Sequence, residues 1–243
     1  LRRLTAEALA AQGVTLYPES KMEALVKTDE GFELQRGNGP ALQAQAALNA
    51  TGRHPNVQGL GLETIGVTPD KKGAIPVDAD SRTTAAGVWA IGDVTNRVNL
   101  TPVAIAEGRA FADTEFGGRP MQVSHHNIAS AVFCSPPIAS VGLTEAQAAK
   151  KGPTDVYTSQ FRPMKKAFVG SNERTFMKLL VDRTTDRVVG IHMLGADAPE
   201  IIQGLAISIS AGATKRHFDS TMALHPTSSE EFVLMREPVR KHG

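Results

Sequence analysis

The segment from residue 88 to residue 117 constrains the fold more than any other part of the chain. Its apolar run at 88–91 is typical of a buried strand and ends in Gly92 and Asp93. A helix is predicted to begin at Thr101, because Thr is a favourable N-cap and Pro102 suits the first helical position. In α/β domains ligands bind at the carboxyl ends of strands, so the segment predicts a ligand site at Asp93. The alternative is that Asp93 is an ordinary turn residue after a glycine.

The sequence on either side predicts two different arrangements of strands. A helix over residues 1–12 precedes a small antiparallel sheet, whose strands are predicted at 14–17, 24–27, 32–35 and 42–48. Beyond residue 126, strands are predicted at 128–133, 156–161, 175–181 and 188–193, and helices at 144–150 and 198–210. Segregated strands and helices are typical of an α+β domain.

The charge balance excludes several classes of partner. The 243 residues contain 26 Lys and Arg against 25 Asp and Glu, so no basic field would attract nucleic acid or an anionic membrane surface. The longest weakly polar stretch, 201–213, falls far short of the ~20 apolar residues that span a bilayer. The N-terminal residues lack the apolar core of a secretory signal. We therefore expect a cytoplasmic protein with no nucleic-acid or membrane partner.

The cysteine content excludes several kinds of site. Cys134 is the only cysteine, which rules out an internal disulfide, a cysteine-rich zinc site and a dithiol redox pair within this chain. We interpret Cys134 as a structural residue. His125 and His126 are adjacent and cannot share one face of a helix or strand. No metal site is predicted.

The residues with the clearest chemical potential are the sequence HPTSSEE at 225–231. Histidine is the side chain that most often serves as a general acid or base, and Glu230 lies five residues after His225. A carboxylate that orients an imidazole and stabilises its charged form is the pairing that a general acid needs. The same residues also fit a helix-capping box between Ser228 and Glu231, and that alternative stays open here.

Five motifs in this order resemble the FAD-dependent pyridine nucleotide disulfide oxidoreductases. They are ATGRHPN at 50–56, VWAIGD at 88–93, LTPVA at 100–104, PPIASVGLTE at 136–145 and HPTSSEE at 225–231. Within that family, HPTSSEE and GATK at 212–215 look most like the members that reduce glutathione disulfide with NADPH. The fold that this implies is α/β and α+β, with partial NADPH- and FAD-binding domains before a complete α+β interface domain.

The resemblance implies a role for each candidate residue. Asp93 would bind the ribitol of FAD and Thr101 would lie at the flavin edge, whereas Gly52 and Val132 would lie near NADPH. Arg109 and Glu231 would bind glutathione disulfide. His225, held by Glu230, would act as the acid/base residue across a homodimer formed through residues 125–243.

The resemblance also implies what this chain lacks. The family's G-x-G-x-x-G FAD loop and redox-active cysteine pair do not occur in it, so we expect a C-terminal fragment that is inactive alone. Its domains would be the end of the NADPH domain (1–51), the end of the FAD domain (52–124) and the interface domain (125–243). Two alternatives remain: a dihydrolipoamide- or mercuric-ion-reducing member of the same family, or a dimerisation module without catalysis.

Overall fold

Two separate sheets organise the chain, and the computed structural model describes residues 1–243. The helices are α1 (Arg2–Ala11), α2 (Thr101–Glu115), α3 (Glu145–Lys151), α4 (Met164–Phe168), α5 (Ala198–Ser210), α6 (Lys215–Ser220) and α7 (Glu231–Leu234). The strands are β1 (Met22–Thr28), β2 (Gly31–Arg36), β3 (Leu42–Ala44), β4 (Ser130–Val132), β5 (Ile138–Gly142), β6 (Thr154–Phe161), β7 (Thr175–Asp182), β8 (Val188–Leu194) and β9 (Arg240–His242).

The chain divides into two compact units. The three-stranded unit comprises Glu19–His125, and the six-stranded unit comprises Leu1–Pro18 together with His126–Gly243. The three-part division at residues 51 and 124 stays a prediction.

The three-stranded unit joins a small sheet to an irregular segment that ends in α2. Strands β1, β2 and β3 pair antiparallel in sequence order. Val67, Ile75 and Ala90 form a separate small core beyond this sheet. Trp89 packs against Phe111 of α2, with ring centroids 5.2 Å apart and an angle of 58° between the ring planes. The segment before α2 is therefore held by side-chain packing more than by strand pairing.

The six-stranded unit has an antiparallel sheet with helices on both faces. The strand order is β4-β5-β8-β7-β6-β9. Because side chains alternate along a strand, neighbouring residues of β7 enter two different cores: Leu179 belongs to the main cluster, and Leu180 packs with Ala148 of α3. The main cluster contains the largest fully buried side chains on that face, among them Met177, Leu179, Ile191, Met193, Ile202 and Phe232.

Most of the predicted elements are present. Helix α1, the α+β arrangement after residue 126 and the helix at 198–210 are confirmed. Helix α3 is also confirmed, and a capping box between Thr144 and Gln147 fixes its start. The sequence analysis missed β5 and β9. Strand β5 is preceded by prolines and ends in a glycine, residue types that are uncommon in strands. Gly142 is nevertheless required there, because its φ is +80° and an added Cβ would clash with the Val189 carbonyl oxygen.

Three predicted strands are wrong in whole or in part. Residues 14–17 form no strand, because Val14, Leu16 and Tyr17 are exposed and no neighbouring strand pairs with them. The strand at 42–48 ends at Ala44. The run at 88–91 makes only an isolated bridge between Arg82 and Trp89.

The start of α2 is predicted correctly, but its cap is not. Leu100 is the N-cap and makes no side-chain capping bond, and Thr101 is the first residue of the helix. Pro102 lies in the first turn, where the missing amide hydrogen costs nothing. The hydroxyl of Thr101 is therefore not consumed by capping its own helix.

A buried histidine makes the stability of the six-stranded unit depend on pH. His192 on β8 is 6% exposed, and its Nε2 donates to the Leu143 carbonyl oxygen at 3.0 Å. Burial lowers the pKa of His192 to about 4. The unfolded chain takes up a proton below its ordinary pKa of about 6.5, whereas the folded chain does not, so stability falls as pH drops from about 6.5 to about 4.

We expect His192→Gln to remove most of this pH dependence, because glutamine can donate to Leu143 but does not titrate in this range. Between neutral pH and pH 4, the wild type should lose on the order of 3 kcal/mol more unfolding free energy than His192→Gln. Urea unfolding across this range measures it, with the exposed His54→Gln as the control. Equal pH slopes in the wild type and His192→Gln would contradict the assignment.

Candidate active site

His225 and Glu230 form a hydrogen-bonded pair in the six-stranded unit. His225 Nδ1 lies 3.1 Å from both Glu230 carboxylate oxygens. A carboxylate only accepts hydrogen bonds, so Nδ1 carries the hydrogen and Nε2 is left as the reactive nitrogen. The histidine side chain is 73% exposed and the glutamate side chain 13% exposed. The pair therefore presents an oriented imidazole to solvent on a partly buried carboxylate.

The loop before α7 fixes the position of Glu230. The Glu230 amide donates to Thr227 Oγ1 at 3.2 Å, and the Thr227 amide donates to Glu230 Oε1 at 3.4 Å. This reciprocal pair has the bonding pattern of a capping box but lies in the loop before α7. The predicted capping box between Ser228 and Glu231 is wrong, since Glu230 is the N-cap of α7 and makes no side-chain capping bond. The Glu230 carboxylate thus accepts from the loop backbone and orients His225 at the same time.

Glu231 lies next to this pair but has a different partner. Its Oε2 accepts a hydrogen bond from Ser159 Oγ of β6 at 2.8 Å. Phe232, the following residue, is 1% exposed and anchors α7 in the main core. The loop that carries His225 is therefore attached to the sheet on its C-terminal side.

Asp93 lies on a single turn of 3-10 helix in the three-stranded unit. The turn spans Gly92–Thr95, and Asp93 Oδ2 accepts from Arg53 Nη1 at 2.8 Å. Gly92 has a φ of +68°, and an added Cβ would lie 3.1 Å from the Ala104 Cβ of α2. This glycine lets the turn approach the helix closely. The structure thus brings together two of the sequence motifs, through Arg53 and Asp93.

The other predicted contacts lie on exposed surfaces. Thr101 and Arg109 are both exposed on α2. Gly52 is exposed in the three-stranded unit with a φ of +141°. Val132 is exposed at the end of β4 in the six-stranded unit. Their roles toward ligands stay predictions.

The sequence analysis missed one buried charge close to Asp93. The Glu107 side chain is 1% exposed, and its Oε2 accepts from the Gly92 amide at 2.7 Å. Its Oε1 contacts Arg97 Nη2 at 2.9 Å and His125 Nε2 at 2.7 Å. The sequence contains a signal for this residue: position 107 falls on the same helix face as the apolar Val103 and Ala110, where a glutamate must be paired.

Family models match nearly the whole chain in two consecutive parts. The model "Pyridine nucleotide-disulphide oxidoreductase" matches residues 1–108, and its "dimerisation domain" matches residues 128–236. The chain belongs to the pyridine nucleotide-disulphide oxidoreductases. The resemblance on five motifs is therefore confirmed, as is the mixed α/β and α+β fold class.

Individual relatives agree with this family. The chain is 49% identical over 237 residues to a glutathione reductase of Burkholderia cepacia, covering 97% of this chain and 53% of the relative. It is 49% identical over 231 residues to a chloroplastic/mitochondrial glutathione reductase of Pisum sativum, covering 94% of this chain and 42% of the relative. The chain thus spans about half the length of these curated relatives.

A solved structure supports the same fold. The HOCl-induced flavoprotein disulfide reductase RclA from Escherichia coli superposes with a TM-score of 0.85 at 26% identity. The match covers 96% of this chain and 54% of that structure. The likeness therefore extends over both units of this chain.

The oxidoreductases of this family are NADPH-dependent flavoproteins, and the Asp93 region fits one part of FAD. The Asn99 Oδ1 atom is buried and has no hydrogen-bond partner, whereas Asn99 Nδ2 donates to Asn96 Oδ1 at 3.1 Å. A buried acceptor without a donor is costly, and a ligand hydroxyl or ring N–H would satisfy it. Asp93 adds a second acceptor, and Thr101 adds a hydroxyl at a helix start. These groups suit a polyhydroxylated ligand such as the ribitol of a flavin.

No cluster of three or more His, Cys, Asp or Glu side chains is arranged to hold a metal ion. No helix is long and apolar enough to cross a membrane.

We expect Gly92→Ala to destabilise the chain more than Gly73→Ala. Both glycines have positive φ values, of +68° and +80°, but an added Cβ at Gly73 meets nothing within 4 Å. Both substitutions therefore strain the backbone to a similar degree. The difference between their losses of unfolding free energy measures the crowding against Ala104, which we expect to cost about 1 kcal/mol or more. Urea unfolding measures both. Equal losses would show that the turn does not pack tightly on α2.

Proposed function

We propose that this chain is the C-terminal part of an NADPH-dependent glutathione-disulfide reductase. In this proposal the complete protein carries the FAD phosphate loop and the redox-active cysteine pair upstream of residue 1. This chain supplies the acid/base histidine and the surface that forms a homodimer. The observation that carries the proposal is the His225–Glu230 pair, an exposed imidazole held by a carboxylate 3.1 Å away.

The reaction needs a proton at one sulfur atom. A thiolate of the redox pair attacks one sulfur of glutathione disulfide, a mixed disulfide forms, and the other glutathione leaves as a thiolate. His225 Nε2 gives its proton to that leaving sulfur, which makes the departure easier. Glu230 accepts from Nδ1 and stabilises the imidazolium before transfer. Bound FAD would supply the transfer of two electrons from NADPH to the cysteine pair.

His225 would act on the cysteine pair of the second copy. Its side chain points away from the core of its own unit, whereas Glu230 is held inside. An acid presented at a surface fits an active site that is completed by a partner, and a dimerisation domain model matches the residues that carry it.

The choice of glutathione disulfide as substrate is based on the charges of Arg109 and Glu231. Arg109 is exposed on α2 and makes no ion pair within the chain, so its guanidinium is available for a carboxylate. Glu231 keeps one carboxylate oxygen beyond its bond to Ser159 and suits an ammonium group. Glutathione disulfide carries both kinds of group. Two relatives that are named glutathione reductases support this choice over other disulfides.

We expect His225→Gln in the complete enzyme to lower kcat by about 10²–10⁴, because the leaving thiolate loses its proton donor. Glu230→Gln should lower kcat less, since the imidazole is still present but less well oriented. Steady-state NADPH oxidation with glutathione disulfide measures both, and His54→Gln is the control. Unchanged kcat in His225→Gln would contradict the acid/base role of His225.

We expect Arg109→Ala to raise the KM for glutathione disulfide about tenfold or more with a smaller effect on kcat, because an ion pair to a substrate carboxylate is lost. Arg119→Ala is the matched control, since Arg119 is exposed and already pairs with Asp113 at 2.6 Å. If the KM does not change, the substrate belongs to another branch of the family. Assays with dihydrolipoamide and with mercuric ion then identify that branch.

A further inference from the structure

We propose that Glu107 is a positioning residue that fixes the Asp93 turn against helix α2 and thereby determines how tightly FAD is held. The inference rests on the proposed function in one respect, namely that the ligand at Asp93 is FAD. It concerns a buried residue whose two carboxylate oxygens both accept from groups of the protein. Its action is exerted through the backbone of the neighbouring turn.

The contacts of Glu107 connect the helix to the turn directly. Oε2 accepts from the backbone amide of Gly92, the residue immediately before Asp93, at 2.7 Å. Glu107 and Thr101 lie on the same helix, six residues apart in sequence. A rigid helix therefore carries one predicted flavin contact on its first turn and holds the other through the Glu107 side chain.

The second carboxylate oxygen ties in two more segments. Glu107 Oε1 accepts from Arg97 Nη2 at 2.9 Å and from His125 Nε2 at 2.7 Å. Arg97 also donates to Ser81 Oγ at 2.8 Å and to Thr95 Oγ1 at 3.3 Å, and Thr95 ends the same turn. The turn is thus held at its first residue by Glu107 and at its last by Arg97, which Glu107 itself positions.

This arrangement needs a carboxylate and not an amide. All of the partners of Glu107 in the structure are donors: an amide, a guanidinium and an imidazole nitrogen. An ionised carboxylate accepts at both oxygens, whereas glutamine would turn an NH₂ group toward either Gly92 or the Arg97 side. A buried donor facing a donor is unfavourable, so the turn or Arg97 would move. Such a shift displaces Asp93 without changing Asp93 itself.

The close approach at Gly92 makes Asp93 sensitive to this shift. A Cβ added at Gly92 would lie only 3.1 Å from the Cβ of Ala104. The backbone of the turn is therefore already close to α2 and has little room to move toward it. It can move only away from α2, which would separate Asp93 from Thr101. A ligand that bridges the two groups then loses one contact.

The test compares Glu107→Gln and Glu107→Ala with Glu115→Gln in the complete enzyme. Glu115 is a matched control because it is on the same helix and pairs with Arg82 at 3.0 Å, away from the turn. The dissociation constant of FAD is measured from flavin fluorescence, the visible spectrum of bound flavin is recorded, and thermal unfolding is followed without FAD. We expect Glu107→Gln to weaken FAD binding about tenfold and Glu115→Gln to leave it unchanged.

Two results would overturn the proposal. One is a Glu107→Gln enzyme that binds FAD within about twofold of the wild type. The other is a loss of thermal stability in both Glu107 variants with unchanged FAD affinity and flavin spectrum, which would mean a structural role alone. If Glu107→Ala does not fold, Glu107→Gln still decides. If the unmodified enzyme holds FAD but does not reduce glutathione disulfide, the substrate proposal fails while this one stands.

Discussion

A carboxylate removed from water must be satisfied at both of its oxygens, and in the three-stranded unit that requirement organises everything around Asp93. Glu107 brings four segments of chain to one point: helix α2, the Gly92–Thr95 turn, Arg97 and His125. These segments have almost no regular strand pairing among them. A buried charge with fixed partners supplies the order that a sheet supplies elsewhere, because an unpaired buried charge is far more costly than an unpaired exposed one.

The six-stranded unit achieves order by apolar burial, and His225 lies outside that core. Phe232 fixes α7 in the core, Thr227 and Glu230 bond reciprocally in the loop before it, and His225 is held at the end of this series. Each step is more exposed than the one before it. The imidazole therefore combines an accessible Nε2 with a defined orientation, which a histidine on a free loop would lack.

The sequence predicted those features that depend on local signals. The start of α2, the helix at 144–150 and the strands at 156–161, 175–181 and 188–193 follow from residue type and spacing, and the structure contains all of them. The errors arise where tertiary contacts decide. The run at 88–91 packs Trp89 against α2 and does not pair as a strand. Gly142 allows the backbones of β5 and β8 to approach closely, and this contact is not visible in the sequence around it. The pairing of His225 with Glu230 was predicted, but the partners of Glu107 were not, because Gly92, Arg97 and His125 are distant in sequence.

The two edges of the six-stranded sheet are short, since β4 and β9 contain three residues each. An edge strand offers unpaired amides and carbonyls to any other chain, and a brief edge limits how many hydrogen bonds such an encounter can form. Continuous sheet extension from one molecule to the next is therefore disfavoured at both ends. Any contact of this unit with another chain is left to side-chain surfaces, where shape and charge discriminate between partners more strictly than backbone hydrogen bonding does.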